Sequence, residues 1–318
     1  MLEHSSSADG DPTSLTIGFD IGGTNLRAAV IDEAGEILDS MSVPTAMDAA
    51  QLDDDIVRCV DELSDRHDID AVGLALAGFL DPECEVVRFA PHLPWRDAPV
   101  RETLSKRLDV PVRLEHDANS AAWGEWRYGA GRGAQEWVFF AVGTGIGATL
   151  FTEGRIYRGA FGTAPEFGHL VVNPGGRVCS CGKRGCLERY ASGTALPDTV
   201  ADLRGQYETT LSENPSGEEI AAAARQGDPL AVAVMKDFGH WLGQGLSMVA
   251  DVLDPELIVI GGGVSQDADL YLDTARECMA RQIVGAGHRP LARVATAELG
   301  SAAGMIGVAD LARQERRG

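Results

Sequence analysis

A mixed α/β fold, built twice along the chain, is predicted by three observations. Apolar segments of strand length alternate with longer amphipathic ones. A glycine turn directly follows an apolar strand at Gly22, Gly143 and Gly261, and these turns recur at near-equal intervals. The chain has 318 residues, 44% of them hydrophobic, which exceeds one typical core and is too apolar for disorder, so two packed domains are expected.

Residues 1–14 are rich in Ser, Asp and Gly, have nothing apolar to bury, and are expected to form a disordered leader. Residues 15–20 read as a short buried strand ending on Asp20. A turn at Gly22 and Gly23 leads to a second strand at 26–31, and a hairpin turn at Gly35 to a third near 36–43, so three consecutive antiparallel strands are expected. A helix at 47–66, a buried strand at 71–76, a looser segment at 78–99 with four prolines and a helix at 100–108 follow. Next come a strand at 112–115 and a helix at 118–128. The opening then repeats: strand 137–142, glycine turn 143–147, returning strand 148–152 and a turn at Glu153 and Gly154. Residues 159–193 are irregular, and a structureless stretch of this length reads as functional or metal-held. Helices at 217–225 and 228–253, strand 257–260, helix 267–281, strand 292–297 and a closing helix at 302–313 complete the chain.

The net charge of −21 disfavours nucleic acid, whose readers need positive surface. Only Lys106, Lys183 and Lys236 are lysines, and Lys183 precedes Arg184, which leaves a GK[ST] phosphate loop nowhere to sit. No apolar run approaches the roughly 18–20 residues of a membrane span, and the start lacks the apolar centre of a signal peptide, so a cytoplasmic protein is expected. Three of the six cysteines, Cys179, Cys181 and Cys186, crowd together, a pattern that favours metal over disulfide in such a chain.

Glycine suits a phosphate turn because no side chain keeps the backbone N–H groups from the anion. Asp20 can hold Mg²⁺, directly or through water, while the Thr24 hydroxyl and the amides of Gly22, Gly23 and Asn25 face a phosphate; Gly143, Thr144 and Gly145 offer the same chemistry again. Each turn alone also reads as an ordinary hairpin turn. Asp117 sits where a strand gives way to a helix. It reads equally as an N-cap and as a carboxylate able to take a hydroxyl proton during phosphoryl transfer. Three close thiolates need one more ligand for tetrahedral Zn²⁺, and His169 is the nearest histidine; clustered buried thiols are the alternative.

The ordered set of strand, Asp20, Gly22, Gly23 and Thr24, then Gly143 to Gly145, then Gly261 to Gly263, resembles the actin-like ATPase superfamily that includes hexokinases. There the three turns are the phosphate 1, phosphate 2 and adenosine elements. Glu166, Gly168 and His169, followed by Cys179, Cys181, Gly182, Gly185, Cys186 and Glu188, resemble the most specific pattern of the ROK family. The resemblance runs from residue 15 to about 313. It implies a duplicated ribonuclease H-like fold of two domains with a substrate cleft between them. The small α/β domain would be 15–117, with a C-terminal helix at about 301–318 packing back on it, and the large domain 118–300, bearing the zinc loop. It further implies Gly262 and Gly263 at the nucleotide, Asp117 as catalytic base, and Gly78, His116, Asp117, Glu166, His169 and Glu188 at the sugar. His169 would also join the three cysteines on structural zinc, which orients the sugar pocket rather than performing chemistry.

ROK sugar kinases usually carry Asn where this chain has His116. Imidazole offers one donor and one acceptor when neutral and can gain a proton, so sugar preference or pH profile can differ. His92 is a second candidate replacement of a family Asn. Similarity over 75–81, 93–95 and 125–131 keeps glucose as the first expected substrate, with ATP and Mg²⁺. Alternatives are another hexose or an N-acetylhexosamine, polyphosphate as donor, or a sugar-responsive regulator. Family repressors carry an N-terminal helix-turn-helix domain, whereas 14 residues precede the first strand here. A homodimer or homotetramer is expected from the family.

Overall fold

The computed structural model describes residues 14–317; the expected leader falls outside this range except for Ser14. The chain divides into two compact units, one running to Gly124 and resuming at Ala303, the other spanning Glu125 to Ala302.

The first unit is built on a sheet of β1 (Leu15–Ile21), β2 (Asn25–Ile31), β3 (Ile37–Pro44), β4 (Ile69–Leu76) and β8 (Val112–His116), in the order β3-β2-β1-β4-β8. The first three strands pair antiparallel, and β4 and β8 add in parallel. Helix α1 (Ala49–Ser64) begins where the Asp48 carboxylate accepts from Gln51 N at 3.0 Å, and it buries Leu52, Ile56, Cys59, Val60 and Leu63 at helical spacing. The proline-rich stretch expected to be loose holds a second sheet of β5 (Phe79–Leu80), β6 (Val87–Phe89) and β7 (Arg96–Ala98), followed by α2 (Val100–Ser105). Strands this short carry no readable alternation. Asp81, which accepts from Glu85 N and Val86 N, and the Arg96 guanidinium over the Phe89 ring hold them in place.

Helix α3 (Asp117–Tyr128) leaves β8, and the closing helix α8 (Ala303–Arg317) lies on the sheet of the first unit. A Cβ on Gly18 or Gly73 would stand 2.1 or 2.3 Å from an α8 carbonyl oxygen, so glycine on β1 and β4 is what lets the helix settle. The division falls inside α3, at Gly124, rather than at residue 117. The first turns of α3 touch α8 through Gly307 and Gly124, and Trp123 donates to Asp310 at 2.8 Å.

The second unit repeats the plan with β9 (Trp137–Val142), β10 (Ile146–Thr152), β11 (Arg155–Tyr157), β12 (Leu257–Gly261) and β13 (Arg293–Thr296), in the order β11-β10-β9-β12-β13. Again the first three are antiparallel and the last two parallel. Helices α4 (Ala195–Leu203), α5 (Gly217–Arg225), α6 (Pro229–Leu253) and α7 (Leu272–Gln282) belong to this unit. Strand β11 and helix α4 add to the elements expected from sequence. The helix expected at 267–281 is two pieces, a 3₁₀ stretch Gly263–Leu270 and then α7. They break at Tyr271, whose ring is buried against Phe238 and whose hydroxyl donates to Val264 O at 3.1 Å.

Candidate active site and metal centre

In the first unit the β1–β2 turn is closed by Gly22 N donating to Asn25 O at 3.1 Å. It is latched from the end of β3, where Thr45 donates its N–H to Thr24 O at 3.0 Å and its hydroxyl to Gly22 O at 2.7 Å. Asp20, one residue before the end of β1, faces Arg27 across the antiparallel pair. Burial raises its carboxyl above the ordinary range, the Asp117 charge raises it further, and Arg27 opposes both. A carboxylate whose charge is disfavoured in this way, at the end of β1 beside the glycine turn, offers the oxygen donors a hard divalent cation takes, so Asp20 fits the Mg²⁺ that accompanies a nucleotide.

Asp117 is the first residue of α3 and accepts from Ala118 N at 2.7 Å, while its side chain stays 46% exposed. Asp117 thus stands inside the helix rather than at the expected N-cap place, and its contact with the next residue's N–H leaves the carboxylate open to solvent. His116 lies beside it: Nδ1 accepts from Ala118 N at 3.3 Å and stands 3.2 Å from Asp117 Oδ1. Beneath both, the fully buried Glu115 carboxylate accepts from His116 N at 3.1 Å, from the Asn119 amide at 3.0 Å and from Arg113 at 3.1 Å. Glu115 and Asn119 were not among the residues singled out from sequence, although an acid and an amide flanking His116 and Asp117 are a visible signal. His92 packs against the first turn, where a Cβ on Gly23 would stand 2.8 Å from its own Cβ. Gly78 lies equally close to Phe89 and Ala90, so packing alone requires glycine there.

In the second unit the turn after β9 is closed by Gly143 N donating to Gly145 O at 2.9 Å. A Cβ on Gly143 or on Gly263 would meet nothing within 4 Å, so packing does not require glycine at either position and both leave the backbone open to a ligand. Gly262, at φ 81°, lies against the backbone of Val142, which brings the third turn to the end of β9.

The irregular segment is ordered by short backbone ties. Val171 bridges Cys186, Val178 bridges Arg184, and Cys179 N donates to Lys183 O at 2.9 Å. These gather His169, Cys179, Cys181 and Cys186 so that their ligand atoms all lie within 4.8 Å of one another. One imidazole and three sulfurs in this compass fit a closed tetrahedral zinc site. Burial, then the Cys181 and Cys179 thiols, push the Cys186 thiol up to about 12, whereas at Cys181 burial is outweighed by the Lys183 N–H and the neighbouring thiols, which lower it, so Cys186 is the thiolate that most needs a cation. His169 Nδ1 faces Cys179 Sγ at 3.6 Å, while Nε2 lies 3.8 Å from Glu166 Oε2 on the other edge of the ring. Glu188 faces two ways: Oε1 is 4.0 Å from Cys179 Sγ, and Oε2 accepts from Ile146 N at 3.0 Å. No helix among the described residues is long and apolar enough to cross a membrane.

A sheet built twice, with a glycine turn after the first strand of each copy and a third after β12, defines the actin-like ATPase fold of sugar kinases. The ROK family model matches residues 16–315, and the chain belongs to that family. A glucokinase of Streptomyces coelicolor is 40% identical over 311 residues, covering 94% of this chain and 98% of that protein. The crystal structure of a ROK family glucokinase from Streptomyces griseus in complex with glucose and AMPPNP matches with a TM-score of 0.82 and 42% identity over 95% of this chain and all of that one. A ROK family transcriptional regulator, a homologue of the Escherichia coli MLC protein, matches with a TM-score of 0.85 and 26% identity over 94% of this chain and 78% of its own. The fold alone therefore does not separate kinase from regulator.

Proposed function

We propose that the protein is an ATP-dependent glucokinase. The observation that carries this reading is Asp117, a half-exposed carboxylate fixed at the start of α3 by the Glu115 network and electrostatically linked to Asp20 at the first glycine turn. Relatives named glucokinase, matched over nearly their whole length, support glucose and ATP as substrates.

Asp117 accepts the proton of the glucose 6-hydroxyl as that oxygen attacks the γ-phosphorus of ATP. The new O–P bond forms as the bond to the β-phosphate oxygen breaks, and ADP leaves. Gly22 and Gly143 close the two turns with their own N–H groups, which leaves the amides of Gly23 to Asn25 and of Thr144 and Gly145 to meet the phosphates, with Gly262 and Gly263 on the adenosine side. Asp20 would hold the Mg²⁺ that accompanies ATP, which would supply positive charge to offset that of the transferred group. Glu166, His169 and Glu188 hold sugar hydroxyls, with Gly78 and His116 completing the sugar contacts. Zinc on Nδ1 of His169 would fix the remaining ring proton on Nε2, the edge that faces Glu166, and so present a donor to the sugar. The reading is of a cytoplasmic enzyme, where ATP and glucose meet.

A second reading, a kinase for another hexose or an N-acetylhexosamine, is favoured by one observation: His116 stands 3.2 Å from the Asp117 carboxylate in place of the family's usual Asn. ADP release in the presence of each candidate sugar, with ATP and with polyphosphate as donors, separates the readings. Glucose with ATP is expected to give the highest kcat/KM. A higher value for another sugar would replace glucose, and no turnover with any sugar would favour a regulator.

A further inference from the structure

The segment that closes the metal loop ends in a grip on the second glycine turn. Gly193 N donates to Gly143 O at 2.7 Å, and the Thr194 hydroxyl donates to Thr144 O, also at 2.7 Å. The hydroxyl of Ser192, fully buried, lies 3.1 Å from that of Thr194. At the other side of the turn Ile146 N is taken by Glu188, six residues before Thr194 in the same segment. The approach is close enough that a Cβ on Gly193 would stand 2.9 Å from Gly143 O.

Thr194 flanks the start of α4, a place where threonine ordinarily accepts from a helix N–H. It makes no such bond. Its hydroxyl is turned to the carbonyl of Thr144 instead. With both carbonyls of Gly143 and Thr144 engaged from behind, the peptide planes of the turn are fixed, and so is the direction of the N–H groups that a phosphate would meet. Thr194 is itself exposed and takes no part in the apolar core.

We propose that Thr194 is a positioning residue for the nucleotide: by holding the Thr144 carbonyl it sets the orientation of the Gly145 N–H, which shares that peptide plane. The proposal rests on the reading of that turn as a phosphate site. It assigns to the end of the metal-bearing segment a role in nucleotide affinity, separate from the sugar contacts expected of its middle.

The test is calorimetric titration of the metal-loaded protein with AMPPNP and Mg²⁺, in wild type, Thr194→Val, Thr194→Ser and Gly143→Ala, with zinc content and glucose KM measured alongside. Thr194→Val keeps the shape and removes the donor. It is expected to weaken AMPPNP by about three- to tenfold, the range for one lost hydrogen bond, at unchanged zinc content and glucose KM. Thr194→Ser is expected to restore affinity. Unchanged AMPPNP affinity in Thr194→Val, failure of the serine to restore it, or an equal loss for glucose would overturn the proposal. Gly143→Ala separates the two layers: its methyl enters open space, so the fold tolerates it while a phosphate does not. If Gly143→Ala weakens AMPPNP and Thr194→Val does not, the positioning role fails alone. If neither does, the phosphate reading fails with it.

Discussion

The two glycine hairpins are copies of one plan with different supports. In the first unit β1 delivers Asp20 two residues before Gly22; in the second, the corresponding place on β9 is Ala141. Both turns have two carbonyls latched by an N–H and a threonine hydroxyl from a later segment, Thr45 in the first case, Gly193 with Thr194 in the second. The first turn shares its unit with a second carboxylate, Asp117, whose charge reaches Asp20. The second is gripped by the segment that also carries Cys179, Cys181 and Cys186, and its acid is Glu188, which comes from that segment and is spent on Ile146 N. One plan thus appears twice, with paired carboxylates beside the first turn and the cysteine-bearing segment behind the second.

Breaking the scaffold side should have the largest effect among the supporting groups. Cys186→Ser, or removal of metal by a chelator, is expected to raise the glucose Kd by about two orders of magnitude, because His169 and Glu188 lose their fixed geometry. Calorimetry with glucose measures this, and undiminished binding by zinc-free protein would detach the metal from the sugar site. On the charge side, Glu115→Ala removes the acceptor shared by the buried Asn119 amide and the partly buried Arg113, which keeps Glu315 at 3.1 Å. It should destabilise the first unit by about 1–3 kcal/mol in denaturant unfolding.

Asp20 sharpens the comparison further. Its carboxyl is raised by burial and then by Asp117, so the folded state binds its proton more tightly than the unfolded state. The associated stability is present below the ordinary carboxylate range and is lost as pH rises through the elevated value. Asp20→Asn should therefore raise Tm at neutral pH while lowering kcat, whereas Ala141→Asn in the second hairpin should do neither. A fall in Tm for Asp20→Asn would show that the carboxylate is a structural partner rather than a strained functional one. The smallest change is expected from His116→Asn, which exchanges the ring 3.2 Å from the Asp117 carboxylate for an amide: a few-fold shift in glucose KM. An unchanged KM would place His116 outside the sugar site.

What could be read from sequence was what is local. Each strand end, each glycine turn and the cysteine cluster is written within a few consecutive residues, and β9 and α5 have the bounds expected of them. The three strands β5 to β7 escaped because two or three residues show no alternation, and the break at Tyr271 because it is made by contact with Phe238 and Val264. The threonine latches escaped for a related reason: Thr45 and Thr194 act on residues 23 and 50 positions away, and only the folded chain brings them together. Glu188 was expected at the sugar; its bond to Ile146 N adds a second duty that no motif announces.

The central claim is that Asp117 takes the substrate proton while other groups hold the sugar. Asp117→Asn, assayed for ADP release with ATP and glucose and titrated with glucose by calorimetry, tests it most directly. A fall in kcat of about 10²–10⁴-fold with glucose Kd changed less than severalfold is the predicted result. Near-normal kcat, or a loss of glucose binding large enough to account for the lost rate, would contradict it.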